Sequence, residues 1–109
     1  MLFLEGEYPV GVYILYSGGI DLLFSARNGS VKPLRIAQPG RILGLSAVVL
    51  MRQHGCSATT RTGCDVGFIG RDELLGTLDE DPEVWLSVLR ILSSDVEAAY
   101  NDIRALAAA

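Results

Sequence analysis

The sequence predicts a mainly β domain, an antiparallel roll or barrel with flanking helices, that ends in one long helix. Three observations carry this expectation. Up to about Ile69, short apolar runs alternate with turns marked by glycine, proline and asparagine, as in antiparallel all-β units. From Pro82 onward the apolar residues recur at helical spacing instead. At 109 residues, half of them hydrophobic, the chain can bury one core but is too short for two full domains. The β-rich part with its short helices is expected over 1–81 and the long helix over 82–109.

Residues 2–4 read as a short strand closed by Glu5-Gly6-Glu7, and 12–16 as a second closed by Ser17-Gly18-Gly19. Residues 20–26 and 31–37 read as a hairpin, because Asn28-Gly29 readily takes the positive backbone angles of a tight turn. Gln38-Pro39-Gly40 makes the next turn, in which Pro39 presets one backbone angle and Gly40 permits the left-handed one. The apolar run 43–50 fits a buried strand or a buried helix equally by periodicity. Residues 57–62 and 65–69 read as a last hairpin about Thr62-Gly63. A short helix follows over 71–78, stopped by Asp79-Glu80-Asp81 ahead of Pro82.

Pro82 is acceptable at a first helical position, with Asp81 placed as N-cap. Trp85, Leu89, Leu92, Val96, Ala99, Ile103 and Leu106 then follow spacings of 4, 3, 4, 3, 4 and 3, a heptad seam held over three repeats. This spacing predicts a helix pair, and with it a homodimer through the C-terminal helix. A second stripe of Val84, Leu86, Val88 and Ile91 widens the apolar face in the first half only, before Asp95, Glu97 and Asp102 bring polar residues round the sides. The first half is expected between its own β unit and a partner helix, and the second half on the partner alone. Folding back onto its own domain is the competing arrangement; a stripe serving only a local core usually breaks phase within a couple of turns. Trp85 is expected as a packing anchor.

One stretch points further. Pro39-Gly40-Arg41-Ile42-Leu43-Gly44-Leu45-Ser46-Ala47 precedes Cys56-Ser57-Ala58-Thr59-Thr60, and both follow Glu5-Gly6-Glu7 and Gly11-Val12-Tyr13-Ile14-Leu15-Tyr16-Ser17-Gly18. In that order they resemble the cyclic-nucleotide-binding domain of the CRP/FNR superfamily of bacterial transcription regulators. The resemblance covers nearly the whole chain and rests on the order of its features. It implies an antiparallel β-roll (jelly-roll, double-stranded β-helix) followed by a long C-terminal dimerisation helix, with a short helix within 43–50. It also implies an effector-sensing and dimerisation role, and a winged helix-turn-helix DNA-binding domain after residue 109. The chain opens within a strand pattern and ends within a helical one, so more of the family's plan is expected on both sides.

In this family a hydrophobic-Gly-Glu triplet supplies a carboxylate to the ribose hydroxyl, and an Arg-Ala/Ser-Ala-Thr run supplies a guanidinium to the cyclic phosphate. By resemblance those two positions here hold Leu45 and Cys56. The backbone part survives: Gly44 permits close approach, and the N–H groups of Leu45, Ser46 and Ala47 would open a short helix with partial positive charge. Gly44 serves a ligand-free strand-to-helix turn equally well. An alkyl group in place of the carboxylate and a thiol in place of the guanidinium together cost roughly 3 to 5 kcal/mol of nucleotide affinity, a factor of a few hundred to a few thousand. Ordinary cAMP binding is therefore not expected.

The candidate pocket comprises Gly44, Leu45, Ser46, Ala47, Cys56, Ser57, Ala58 and Thr59, with Arg52 in the preceding loop able to swing inward as a replacement cation. The alternative for Arg52 and His54 is that both are solvated loop residues. Hydroxyls of Ser46, Ser57, Thr59 and Thr60 could line a polar pocket, although alternation along a strand turns only some of them inward. No cofactor is assigned; a small-molecule effector is expected, a cyclic nucleotide by resemblance alone. A cyclic-nucleotide binder using Arg52, and a ligand-free dimerisation module whose pocket Leu45 fills, remain the alternatives.

The formal net charge of −4 argues against a self-sufficient nucleic-acid binder, so any DNA contact is expected through a domain outside this chain. No run approaches the roughly 18 apolar residues of a membrane span, and no membrane partner is expected. Two cysteines behind an opening too short for a secretory segment make no disulfide framework, and the compartment is read as cytoplasmic. One histidine makes no metal-binding cluster, and Cys56 and His54, two apart on one loop, leave no nucleophile with a base and an orienter, so no enzyme activity is expected. Cys56 beside Arg52 and His54 is a redox candidate if its thiol pKa is lowered.

Overall fold

A computed structural model of the chain describes residues 1–61 and 63–108; for residues 99, 100, 102, 103 and 105–108 it describes the helix backbone alone. The chain divides into two compact units, Met1–Leu75 and Gly76–Ala109.

The first unit contains β1 (Gly11–Ser17), β2 (Ile20–Ser25), β3 (Val31–Ala37), β4 (Ile42–Leu43), the helix α1 (Leu45–Leu50), β5 (Ser57–Thr60) and β6 (Asp65–Gly70). The strands form two three-stranded antiparallel sheets, ordered β4-β1-β6 and β3-β2-β5. The chain changes sheets at Gly18-Gly19, where Gly18 has φ +86 and a Cβ would come within 2.9 Å of the Cys64 Cα and Sγ. Only a glycine fits that crossing. The Cys64 thiol donates to the Gly19 carbonyl at 2.8 Å, holding Cys64 against the crossing.

The expected hairpin forms between β2 and β3. In its loop the Asn28 carboxamide oxygen accepts from the Ser30 N–H and hydroxyl, and Gly29 takes the positive φ. Pro39 and Gly40 fill the two central turn positions foreseen for them, with Arg41 N–H donating to the Gln38 carbonyl and Gly40 at φ +94. The second hairpin does not form. β5 pairs with β2 in one sheet and β6 with β1 in the other. A turn signal marks where a chain reverses and not which sheet it rejoins; Ala58 docks opposite buried Leu22, a partner that local spacing cannot reveal. Thr62, the other half of that expected turn, lies outside the described residues. The strand expected over 2–4 is reduced to one antiparallel bridge, Phe3 to Ala58, on the free edge of β5.

Between the sheets Phe3, Leu15, Ile20, Leu22, Ala37, Leu43 and Ala58 form one buried cluster, with Leu34, Cys56, Cys64 and Val66 packed against it. Leu15 and Ile20 are fully buried, each contributing roughly 1.5 to 3 kcal/mol by leaving water. α1 packs on β1. A further helix, α2 (Arg71–Glu80), runs two residues past its expected end and crosses the division between the units.

The second unit holds the long helix α3 (Pro82–Ala108). Asp81 caps it as expected, its carboxylate accepting from the Glu83 N–H at 3.0 Å and its carbonyl from Val84 and Trp85. Val88 is buried, with Val84 and Ile91 half-buried beside it, while Leu86 of the same stripe is exposed. Along the seam Trp85, Leu89 and Val96 are exposed and Leu92 is half-buried; the side chains of Ala99, Ile103 and Leu106 lie outside the described residues. Among the described residues no helix is long and apolar enough to cross a membrane.

Candidate functional site

Gly44 opens α1 with φ +85, a left-handed conformation that glycine adopts without strain. A Cβ there would meet His54 Cε1 at 3.2 Å and the Gly11 carbonyl oxygen at 3.3 Å, so the glycine serves both a turn and a close approach. Behind it Leu45 and Val48 are fully buried and Ala47 is buried, whereas Ser46 faces solvent. Leu45 therefore belongs to the packing of the unit. α1 has only six residues, ending on Met51 in the left-handed region, so few peptide dipoles align behind its N-terminus.

His54 departs from the solvated loop position expected of it. It is 5% exposed, and its ring stacks on Phe3 with centroids 3.8 Å apart. The backbone enforces this: His54 N–H donates to the Glu7 carbonyl and Gly6 N–H donates to the His54 carbonyl, both at 2.9 Å. The loop is thus stitched to the N-terminal segment, which delivers the imidazole between Phe3 and Gly44. Burial holds the His54 pKa below its usual value, with nearby Glu7 partly opposing. Arg52, two residues earlier, is exposed; its backbone N–H donates to the Ala47 carbonyl.

Cys56 is half-buried against the core cluster. Burial pushes its thiol pKa up, Glu5 pushes it further, and Arg35 opposes. The lowered thiol that Arg52 and His54 would have produced is not found; Cys56 is a neutral, poorly nucleophilic group. Of its neighbours, Ala58 points into the core. The Ser57 hydroxyl accepts from the Glu5 N–H at 2.9 Å, and the Thr59 hydroxyl donates to Met1 Sδ at 3.5 Å. Glu5 in turn accepts from the Ser25 N–H. These contacts occupy two of the hydroxyls proposed for a pocket.

The positive charge that acts on Cys56 comes from strand β3. Arg35 and Ala58 both lie opposite Leu22 in register, so the three share one face of the β3-β2-β5 sheet. Leu22 and Ala58 are buried, which makes this the inner face, and Arg35 Nε is shielded from solvent there. Arg35 was not among the residues foreseen. The signal was available two positions before Ala37, whose inward side implies the same for residue 35 by strand alternation. A lone arginine between Leu34 and Ile36 reads instead as a solvated side chain.

Comparison with known proteins gives one family. The model of the family described as "Cyclic nucleotide-binding domain" matches residues 1–81. A CRP-like cAMP-activated global transcriptional regulator of Mycobacterium tuberculosis is 28% identical over 102 residues, covering 94% of this chain and 46% of that protein. The chain thus spans about half the length of the curated relatives it matches. The catabolite activator protein of Thermus thermophilus superposes with a TM-score of 0.81 at 19% identity, over 97% of this chain and 50% of that one. A cyclic nucleotide-binding domain from Methylobacillus flagellatus does so with 0.81 at 19%, over 94% and 60%. At these identities the superpositions show the fold.

Proposed function

Because the chain belongs to the cyclic nucleotide-binding domain family, we propose that it is the effector-sensing and dimerisation domain of a CRP-like transcription regulator whose cassette no longer holds cAMP in the family's usual way. The carrying observation is the state of the two replaced positions. Leu45 is 2% exposed and Cys56 is a half-buried neutral thiol, so one offers no acceptor and the other no charge. A ribose edge and a cyclic phosphate placed there would give up water without gaining the usual partners.

The exposed row of Trp85, Leu89 and Val96 supports dimerisation through α3, since a heptad seam with this much apolar surface in one chain fits a second helix. The net charge of −4 supports DNA contact by residues outside this chain. Effector binding would act by changing how the paired helices are set, a two-state equilibrium biased by unequal contacts.

Calorimetric titration with cAMP tests the cassette. Dissociation constants in the millimolar range or weaker are expected for the wild-type chain, and Cys56→Arg is expected to tighten binding. Micromolar cAMP binding by the wild type would overturn this reading.

A further inference from the structure

The segment before β1 and the loop after α1 are joined by a clasp of two backbone bonds. Gly6 N–H donates to the His54 carbonyl and His54 N–H donates to the Glu7 carbonyl, both at 2.9 Å. The segment is also closed on itself: Glu7 N–H donates to the Leu4 carbonyl, and the Glu7 carboxylate accepts from the Leu4 N–H at 2.7 Å. With both backbone groups of His54 held in the clasp, its ring cannot leave its place between Phe3 and Gly44 unless the clasp parts. Ring and clasp move as one unit.

That place suits a neutral ring and not a charged one. The residue is 5% exposed, Phe3 stacks on one face of the imidazole at 3.8 Å, and Cε1 lies close against Gly44. The charges around it are few. The N-terminal segment brings Glu7, engaged with Leu4, and Glu5, whose carboxylate accepts from the Ser25 N–H. β1 brings the Gly11 carbonyl beside Gly44, and Tyr13, which meets Phe3. α1 carries no ionisable side chain, and the loop itself brings exposed Arg52 and the Cys56 thiol, which burial keeps protonated. One carboxylate committed to Leu4 does not offset the loss of water by an imidazolium.

We propose that His54 and its clasp form an acid-sensitive latch: protonation of the ring parts the clasp, swings loop 52–55 away from residues 6–7 and frees the start of α1, where the cassette lies. Phe3 stays in the core, because its bridge to Ala58 lies outside the clasp. The latch stands on the fold alone and does not depend on the effector role. Its direction follows from linkage. In the parted state the hydrated ring takes a proton near its ordinary value of about 6.5, and in the clasped state only at lower pH. Acid therefore favours parting between those two values, by at most roughly tenfold per pH unit, and adds nothing below the lower one. The change is a local opening and not a global unfolding. At α1 the reporter is Val48, whose N–H donates to the Gly44 carbonyl at 3.1 Å.

The test is hydrogen exchange of the 109-residue chain from pH 8 to 5, read by NMR at each amide and corrected for the intrinsic pH dependence of exchange. The Gly6, His54 and Val48 amides are expected to lose protection together as pH falls below about 6.5, levelling off where the His54 ring itself titrates. Amides of the β2-β3 ladder should hold, as should Ala58, whose N–H donates to the Phe3 carbonyl. His54→Gln, which cannot titrate, should remove the pH dependence. Equal loss at every amide, or none at Gly6 and His54, overturns the latch. So does a loss that spares Val48, or one that survives in His54→Gln. Should His54→Gln fail to fold by circular dichroism, the wild-type contrast between clasp and ladder, and its agreement with the ring titration, still decide the matter.

Discussion

The imidazole of His54 lies nearly parallel to the ring of Phe3, with centroids 3.8 Å apart and planes 15° from parallel. A stack this close inside the protein suits the neutral ring, and burial lowers the His54 pKa accordingly, with Glu7 opposing in part. The sign of the pH effect follows. Between the folded value and the unfolded value of about 6.5, the unfolded chain binds a proton that the folded chain does not. Stability from this residue is complete above about pH 6.5, falls as pH drops through that value, and levels off below the folded pKa. Melting temperatures of wild type and His54→Gln from pH 8 to 5 check it: the wild type is expected to lose more. Parallel curves would remove the role assigned to His54.

Gly44→Ala places a methyl group 3.2 Å from His54 Cε1 at a φ of +85. Backbone strain and contact together are expected to cost roughly 1 to 3 kcal/mol, a fall of several degrees in melting temperature. Gly76→Ala is the internal control, because Gly76 lies in α2 with nothing within 4 Å of its added Cβ. It is expected to be neutral or stabilising. Equal melting temperatures for the two variants would refute the account of Gly44.

Leu89 and Val96 are 53% and 70% exposed, so charging them should leave the folding of one chain nearly unchanged. Sedimentation at tens of micromolar is expected to give a dimer for wild type and a monomer for Leu89→Glu/Val96→Glu, with equal helical circular dichroism. A monomeric wild type would count against the seam.

Legibility in the sequence followed the range of the signal. Asp81-Pro82 and Pro39-Gly40 act on their own backbone neighbours and stand where residue type alone placed them, whereas Gly44 stands at the helix start that the family resemblance implied. The pairing of β5 with β2 is decided by Leu22 meeting Ala58, residues far apart in the chain, and turn chemistry at residue 63 is silent about it. His54 and Arg35 failed in the same way. A histidine in Met51-Arg52-Gln53-His54-Gly55 looks hydrated because its sequence neighbours are, yet its burial is set by Gly6 and Glu7. Arg35 looks hydrated because charge usually is, yet its row is set by the register with β2. At the candidate site the identities of Leu45 and Cys56 were plain, while the surroundings that give them meaning were not.

The pairing of β1 with β6 also orders events in time. Gly11 meets Gly70 and Ser17 meets Asp65, so roughly fifty residues of chain must be looped out before these partners touch, and closing such a loop is entropically slow. β2 and β3, joined by a short turn, carry no such delay. During synthesis the hairpin can therefore zip as soon as it emerges. β1, made well before β6, has to wait for it, and its apolar face stays open to chaperones and to misassociation for most of that interval.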